Sequence, residues 1–194
     1  MIPSYVYYRK AIHIFSLVIP ISYWYLIPDK NNAIIIISVF TLIFIFFDSM
    51  RLKSRFVNFF FSLLFNKMLK EHELKGKFTG ATWVMISSFI VILFFSKNIA
   101  VISLVFLSVG DTAAGLFGKK FGRVKIGMKT LEGFLAGLLS CLMVSYFYNP
   151  LPLYISCTGA FFAMLIETLP LPFDDNFKIP ITSAVVMSML VSLN

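Results

Sequence analysis

Charge is scarce in this chain. Only 13% of its 194 residues are Asp, Glu, Lys or Arg, against 59% hydrophobic, a balance that excludes an ordinary soluble domain of this length. Cysteine and histidine are scarcer still, at two each. Cys141 and Cys157 lie in apolar runs and read as packing residues, and no His or Cys cluster has the spacing of a zinc site. No Ser, His and Asp set points to acyl transfer, and the phosphate-binding pattern G-x-x-x-x-G-K-[ST] is absent. There is no internal repeat, low-complexity tract or long linker, so residues 1–194 read as one domain. The net charge is +8, but the cations gather beside apolar runs without any nucleic-acid-binding module, which excludes nucleic acid as the partner. Anionic lipid head groups and a polyphosphate are the more economical partners.

Long hydrophobic runs are what the chain has in abundance. Windows at 11–27, 33–47, 79–95, 99–117, 131–148, 151–169 and 178–193 can each cross a hydrocarbon core of about 30 Å, allowing for tilt. The expectation is an all-α, polytopic integral membrane bundle of about seven transmembrane helices. Residues 56–66 are apolar but shorter, broken by Asn58 and flanked by Arg55 and Lys67, and fit an interfacial helix better than an eighth crossing. No small-residue cleavage site follows the first run, and Trp24 and Tyr25 close it as an interfacial belt does, so that helix is expected to stay in the protein. With the N-terminus inside and seven crossings, every Lys and Arg except Lys30 and Lys97 falls at the inner face, as basic residues do in short cytoplasmic loops. The acidic residues, Asp29 excepted, fall there too. A prokaryotic cell membrane with a cytoplasmic active surface is the expected location.

The stretch from Ser108 to Gly137 carries the chemistry. Asp111 sits within an apolar run, where an unpaired carboxylate is costly and marks an ion or substrate site. Lys119, Lys120, Arg123, Lys125 and Lys129 follow, then Glu132, with Gly110, Gly115, Gly118, Gly122 and Gly127 interspersed. Cations can neutralise a polyphosphate, and glycines let backbone approach a ligand closely. Topology alone would also make an inner loop basic. Near the last run, Glu167, Asp174, Asp175 and Asn176 bring hard oxygen donors to the same layer as Asp111. Together they form a candidate carboxylate site for one or two magnesium ions, although this segment taken alone reads as a Pro-punctuated solvated loop.

Other polar groups carry weaker signals. Arg9, Lys10 and His13 share one helical turn, which positive-inside flanking would explain. Asp48 and Arg51 at i, i+3 form a local ion pair or a functional one. The run from Lys67 to Lys77, with Glu71, His72 and Glu73, reads as a solvated face with Glu73 as a candidate.

RKAIH at 9–13, ELKGKFTGATW at 73–83, VGDTAAGLFGKKFGRVKIGMKTLEG at 109–133 and ETLPLPFDDNFKIP at 167–180 resemble the CTP-dependent lipid-alcohol kinases, which include dolichol kinase, phytol kinase and the yeast-type diacylglycerol kinase. The central motif is also similar to that of CTP:phosphatidate cytidylyltransferases. Here Ile126, Gly127 and Met128 stand where those enzymes carry S-P-K, and their late H-G-G and D-R-x-D pattern is replaced by DDNFKIP. The resemblance implies CTP as co-substrate, magnesium, and a membrane lipid alcohol as acceptor: polyprenol, phytol-like alcohol or diacylglycerol. It implies metal ligation by Asp111 and Asp175 with Asp174 and Asn176 in support, and nucleotide or phosphate binding by Lys10, Lys119, Lys120, Arg123, Lys125, Lys129 and Thr130. The base lies among Asp111, Glu132 and His13. The competing readings are a cytidylyltransferase making a CDP-lipid and a non-enzymatic ion or lipid transporter, the latter expected to show repeat symmetry.

Overall fold

The structure, a computed structural model, describes residues 4–65 and 77–193. Among them are nine helices: α1 Ser4–Phe15, α2 Val18–Tyr25, α3 Lys30–Lys53, α4 Arg55–Phe65, α5 Gly80–Phe94, α6 Lys97–Phe121, α7 Leu131–Phe147, α8 Leu153–Thr168 and α9 Asp175–Ser192. A two-stranded hairpin, β1 Lys125–Ile126 and β2 Lys129–Thr130, joins α6 to α7. The class is all-α, with this hairpin as its one departure among the described residues. The segment holding Lys67, Lys70, Glu71, His72, Glu73 and Lys75 lies outside the described residues.

Helix boundaries follow local chemistry. Asp29 caps α3 by accepting from the Asn32 N–H, Thr79 caps α5 from Thr82, and Thr130 caps α7 from Gly133. Each supplies the side-chain acceptor that orphan amides of a first turn need. The first apolar window is two helices, broken at Ser16, whose hydroxyl turns back to the His13 carbonyl at 2.6 Å. The window at 33–47 belongs to a helix of 24 residues, because the cap at Asp29 and the polar ends 30–32 and 48–53 extend it beyond its apolar middle.

Among the described residues, two helices, α3 and α6, are long and apolar enough to cross a membrane, whereas α5, α7 and α8 are apolar but shorter. They play opposite parts in the packing. The apolar window of α6 is 72% buried and forms the axis of the core, while that of α3 is 22% buried and leaves Ile35, Val39, Leu42 and Phe46 on the outside. Around α6 pack α7, α8 and α9, and α3 lies against α5. The α6–α7 contact is built on small residues four apart: Gly110, Ala114 and Gly118 on one helix, Gly133, Gly137 and Cys141 on the other. A Cβ at Gly133 would stand 2.8 Å from the Ala114 carbonyl oxygen, so the two backbones meet directly there. Gly110 and Gly118 therefore serve close helix packing.

The helices run up and down, which gives the bundle two distinct ends. At one end the Lys30 ammonium donates to the Phe95 carbonyl at 2.9 Å, Lys97 lies over the Tyr23 and Trp24 rings, and the Tyr148 hydroxyl donates to the Asn98 carbonyl at 3.0 Å. At the other end the C-termini of α3, α6 and α8 meet the N-termini of α5, α7 and α9, joined by the Arg51 to Lys77 and Asn176 to Gly80 hydrogen bonds. That second end holds the polar cluster.

Candidate functional site

A five-residue π turn, Phe106–Gly110, interrupts α6 immediately before Asp111. Such turns recur at functional sites because they re-aim the side chains that follow. Asp111 faces α1, where Lys10 donates from Nζ to both its carboxylate and its carbonyl oxygen at 2.6 Å, and His13 Nδ1 lies 3.4 Å from the same carboxylate oxygen. Gly115, one turn further along, leaves room for the Lys10 side chain, whose end would collide with any Cβ there. The RKAIH segment thus belongs to the site through Lys10 and His13.

Two more carboxylates converge from the other side. Glu167, buried in the last turn of α8, and Asp175, in the first turn of α9, both pair with the Lys129 ammonium, Asp175 at 2.9 Å. Asp175 also pairs with Lys178 at 2.9 Å. Oxygens of Asp111, Glu167 and Asp175 lie within 4.8 Å of one another. Burial alone would lower the Lys129 pKa, but Asp175, Glu167 and Asp111 outweigh it and hold the ammonium above the ordinary lysine range. Three hard oxygen donors of this kind, in one small volume, could hold a hard divalent cation such as magnesium, calcium or manganese.

These groups line an open cavity of about 380 Å³, together with Arg9, Lys119, Thr130 and Asn176. A second cavity of about 660 Å³, walled by the Leu169–Phe173 segment, Trp83 and Phe78, shares Lys129, Glu167 and Asp175 with the first. A third, of about 590 Å³, is largely apolar and shares Arg9, His13 and Asn176 with the first.

Of the residues expected to hold phosphate, Lys10, Lys119, Lys129 and Thr130 line the first cavity, while Lys120, Arg123 and Lys125 line none of the three. All three are exposed, Lys120 at the end of α6 over the Phe121 ring and the other two in and beside the hairpin. Glu132 also lies off the cavity and accepts from the Val124 amide at 3.2 Å, tying the hairpin to α7. Asp174 caps α9 through the Asn176 amide, outside the three-carboxylate cluster. Asn176 is 2% exposed; its side-chain amide nitrogen donates to the Gly80 carbonyl, leaving its oxygen without a donor among the described residues.

Sequence reasoning did not foresee the hairpin, nor that the Asp48–Arg51 pair reaches Thr79 and Thr82 to form a second polar knot. In the hairpin, Ile126 pairs with Lys129 across Gly127 and Met128, and Gly127 alone has a positive φ, of 60°, as a two-residue II′ turn requires. A glycine opening a two-residue gap between KI and KT was the available signal. In the knot, Asp48 and Arg51 are each 3% exposed; Asp48 receives Arg51 at 2.8 Å, the Thr79 amide at 2.6 Å and the Thr82 hydroxyl at 2.8 Å.

No family profile matches the chain, and no solved structure does. Curated sequences do. The chain is 28% identical over 190 residues to a CTP-dependent diacylglycerol kinase of Saccharomyces cerevisiae, covering 84% of this chain and 65% of that protein. It is 26% identical over 203 residues to a probable chloroplastic phytol kinase of Triticum aestivum, covering 94% and 66%. An uncharacterised protein of Rickettsia prowazekii is 27% identical over 184 residues, covering 90% and 89%. The chain thus spans just under two-thirds of the length of the two named kinases. Over most of its own length it is a distant relative of the CTP-dependent lipid kinases, a family of phosphotransferases.

Proposed function

We propose that this protein is a CTP-dependent kinase that moves the terminal phosphate of CTP to the hydroxyl of a membrane lipid alcohol. The observation that carries the reading is the convergence of Asp111, Glu167 and Asp175 with the Lys10 and Lys129 ammoniums in one cavity. Phosphoryl transfer asks a protein mainly for positioning and for charge to match the phosphates, and this set supplies both.

In this reading Asp111, Glu167 and Asp175 hold magnesium, which when bound neutralises phosphate oxygens and makes the terminal phosphorus more electrophilic. Lys129 and Lys119 hold phosphate, and Lys10 keeps the Asp111 carboxylate in place while adding positive charge. The lipid hydroxyl oxygen bonds to the terminal phosphorus, the bond from that phosphorus to its bridging oxygen breaks, and CDP leaves with the electron pair. The hydroxyl proton passes to His13, which among the three candidate bases borders both the polar cavity and the apolar one, with Asp111 beside it to stabilise the imidazolium.

Residues 1–194 act as one transmembrane catalytic domain. Counting α1 with α2 as one broken span, and α3, α5, α6, α7, α8 and α9 as the others, gives seven crossings with α4 at the interface. The site end faces the cytoplasm, and Lys30 and Lys97, the two cations assigned outside, sit at the opposite end.

The test is CTP labelled at the terminal or the inner phosphorus, offered with magnesium to purified protein and a panel of lipid alcohols and phosphatidate. Terminal label entering an alcohol, lost in Asp111→Asn, is the expected result. Inner label entering phosphatidate with release of pyrophosphate would replace the kinase by a cytidylyltransferase.

A further inference from the structure

We infer that the apolar cavity between α1–α2, α3 and α5 is the acceptor site, seating a hydrocarbon chain of the lipid alcohol with its hydroxyl at Asn176. The inference rests on the kinase reading for the role of the hydroxyl, but its geometry is independent of it.

The cavity has the shape such a molecule needs. Its volume of about 590 Å³ is that of a small-molecule site. Its walls are Ile12, Phe15, Ile19, Phe44, Val84 and Met85, and its polar groups gather mostly at the site end of the bundle, where Arg9, His13, Asp48, Thr79, Thr82 and Asn176 stand. Phe15, Val18, Ile43 and Phe47 form exposed lips, Phe15 at 74% exposure, so the groove opens sideways on the bundle surface. In a bilayer that opening faces lipid, and a membrane alcohol enters without leaving the hydrocarbon.

The polar end selects a hydroxyl. Asp48 is not available to it, because its oxygens already receive Arg51, the Thr79 amide and the Thr82 hydroxyl. The Asn176 oxygen, by contrast, receives no donor from the described residues. Because the Gly80 carbonyl can only accept, the donor facing it must be the amide nitrogen, which fixes the oxygen as the atom left over. A buried amide oxygen without a donor is costly, and a ligand O–H relieves it. Asn176 and His13 border both this groove and the carboxylate cavity. A hydroxyl donating to Asn176 in the resting complex therefore places its oxygen where the two cavities meet, at the phosphate side of the site, and its one proton turns from Asn176 to His13 as the bond to phosphorus forms.

A long-chain alcohol carrying a diazirine in its chain tests the assignment directly. After irradiation in detergent, the labelled peptides are mapped by mass spectrometry, and transfer of terminal phosphate from CTP is measured in parallel on single-chain alcohols and on diacylglycerol. Label on α1–α2, α3 and α5, competed by the preferred acceptor, is expected. Label on the Leu169–Phe173 wall of the second cavity, with transfer intact, would overturn the groove and leave the kinase standing. Label in the groove with no transfer to any alcohol would keep the lipid site and remove the kinase reading. Ile43→Trp and Met85→Trp fill the groove and should raise KM for the lipid at least tenfold with KM for CTP unchanged. An unchanged lipid KM in both variants, each shown to be folded by CTP-dependent thermal stabilisation, would also overturn the proposal. Asn176→Leu is expected to lower kcat about fivefold or more, the scale of one lost hydrogen bond.

Discussion

Lys10 and Asp111 are 101 positions apart in sequence, yet the Lys10 ammonium touches both the carboxylate and the main-chain carbonyl of Asp111 at 2.6 Å. One side chain therefore fastens α1 to the middle of α6 and adds a charge to the cavity. Lys10→Met removes both functions and leaves Asp111 without its direct ammonium partner, beside His13 and the Glu167 and Asp175 carboxylates. The expected outcome is a loss of kcat of about a hundredfold, since partners of buried charges matter by several kcal/mol. Lys10→Arg keeps the charge, but a planar guanidinium does not reproduce the ammonium's paired contacts with the Asp111 carboxylate and carbonyl and should rescue only partly. Steady-state transfer of labelled phosphate from CTP measures both.

Glu167 and Asp175 share the Lys129 ammonium, which brings the end of α8 and the start of α9 to the hairpin. Lys129→Gln leaves Glu167 buried without its cation. That variant should bind magnesium no more weakly than the parent, because a competing ammonium is gone, while KM for CTP rises at least about tenfold through loss of a phosphate contact. Magnesium titration of thermal stability, alongside CTP kinetics, separates the two effects. Equal losses in both would mean that Lys129 is a structural clamp.

The site was legible in the sequence wherever a single residue violated its surroundings. Asp111 stood out because a carboxylate in an apolar run needs a partner, and Lys30 and Lys97 stood out as the cations that topology assigned to the far side. Both lysines do lie at the end opposite Asp111. What spacing could not reveal was pairing between distant segments. Glu167 was recognisable as an oxygen donor, but its union with Lys129 depends on how α8 and α9 pack. The glycines have a second role that composition did not show: Gly110 and Gly118, read as part of a ligand-binding stretch, lie in a helix where small residues let backbones touch, and Gly118 also lines the first cavity. Asp48 and Arg51 were visible as an i, i+3 pair, whereas their hold on Thr79 and Thr82, some thirty residues on, was not.

That hold gives a stability prediction. Arg51→Met leaves Asp48 charged and buried beside Thr79 and Thr82, and should cost about 3–5 kcal/mol. Asp48→Asn in the same chain removes the orphaned charge while keeping an acceptor for the Thr79 amide. The double variant should therefore recover much of the loss, a non-additivity expected of groups in one network. Thermal unfolding of the parent, both single variants and the double variant in one detergent closes the cycle. Additive losses would mean that the two side chains act separately.

Gly127 and Gly133 lie six residues apart and should fail for opposite reasons. Gly127 has open space around it but a φ of 60°. An alanine there is strained by its backbone, at about 1–2 kcal/mol, and Asn should restore only part of that stability, because the first position of a II′ turn favours glycine. Gly133 is helical, and a Cβ would stand 2.8 Å from the Ala114 carbonyl. Alanine there forces α6 and α7 apart, at about 1–3 kcal/mol, and no polar residue can rescue it because the obstacle is backbone. The displacement also moves Asp111 relative to Thr130, so Gly133→Ala should lower kcat more than Gly127→Ala does at equal loss of melting temperature. Measuring both quantities on Gly127→Ala, Gly127→Asn and Gly133→Ala distinguishes a hairpin that merely links two helices from a helix contact that sets the geometry of the cavity.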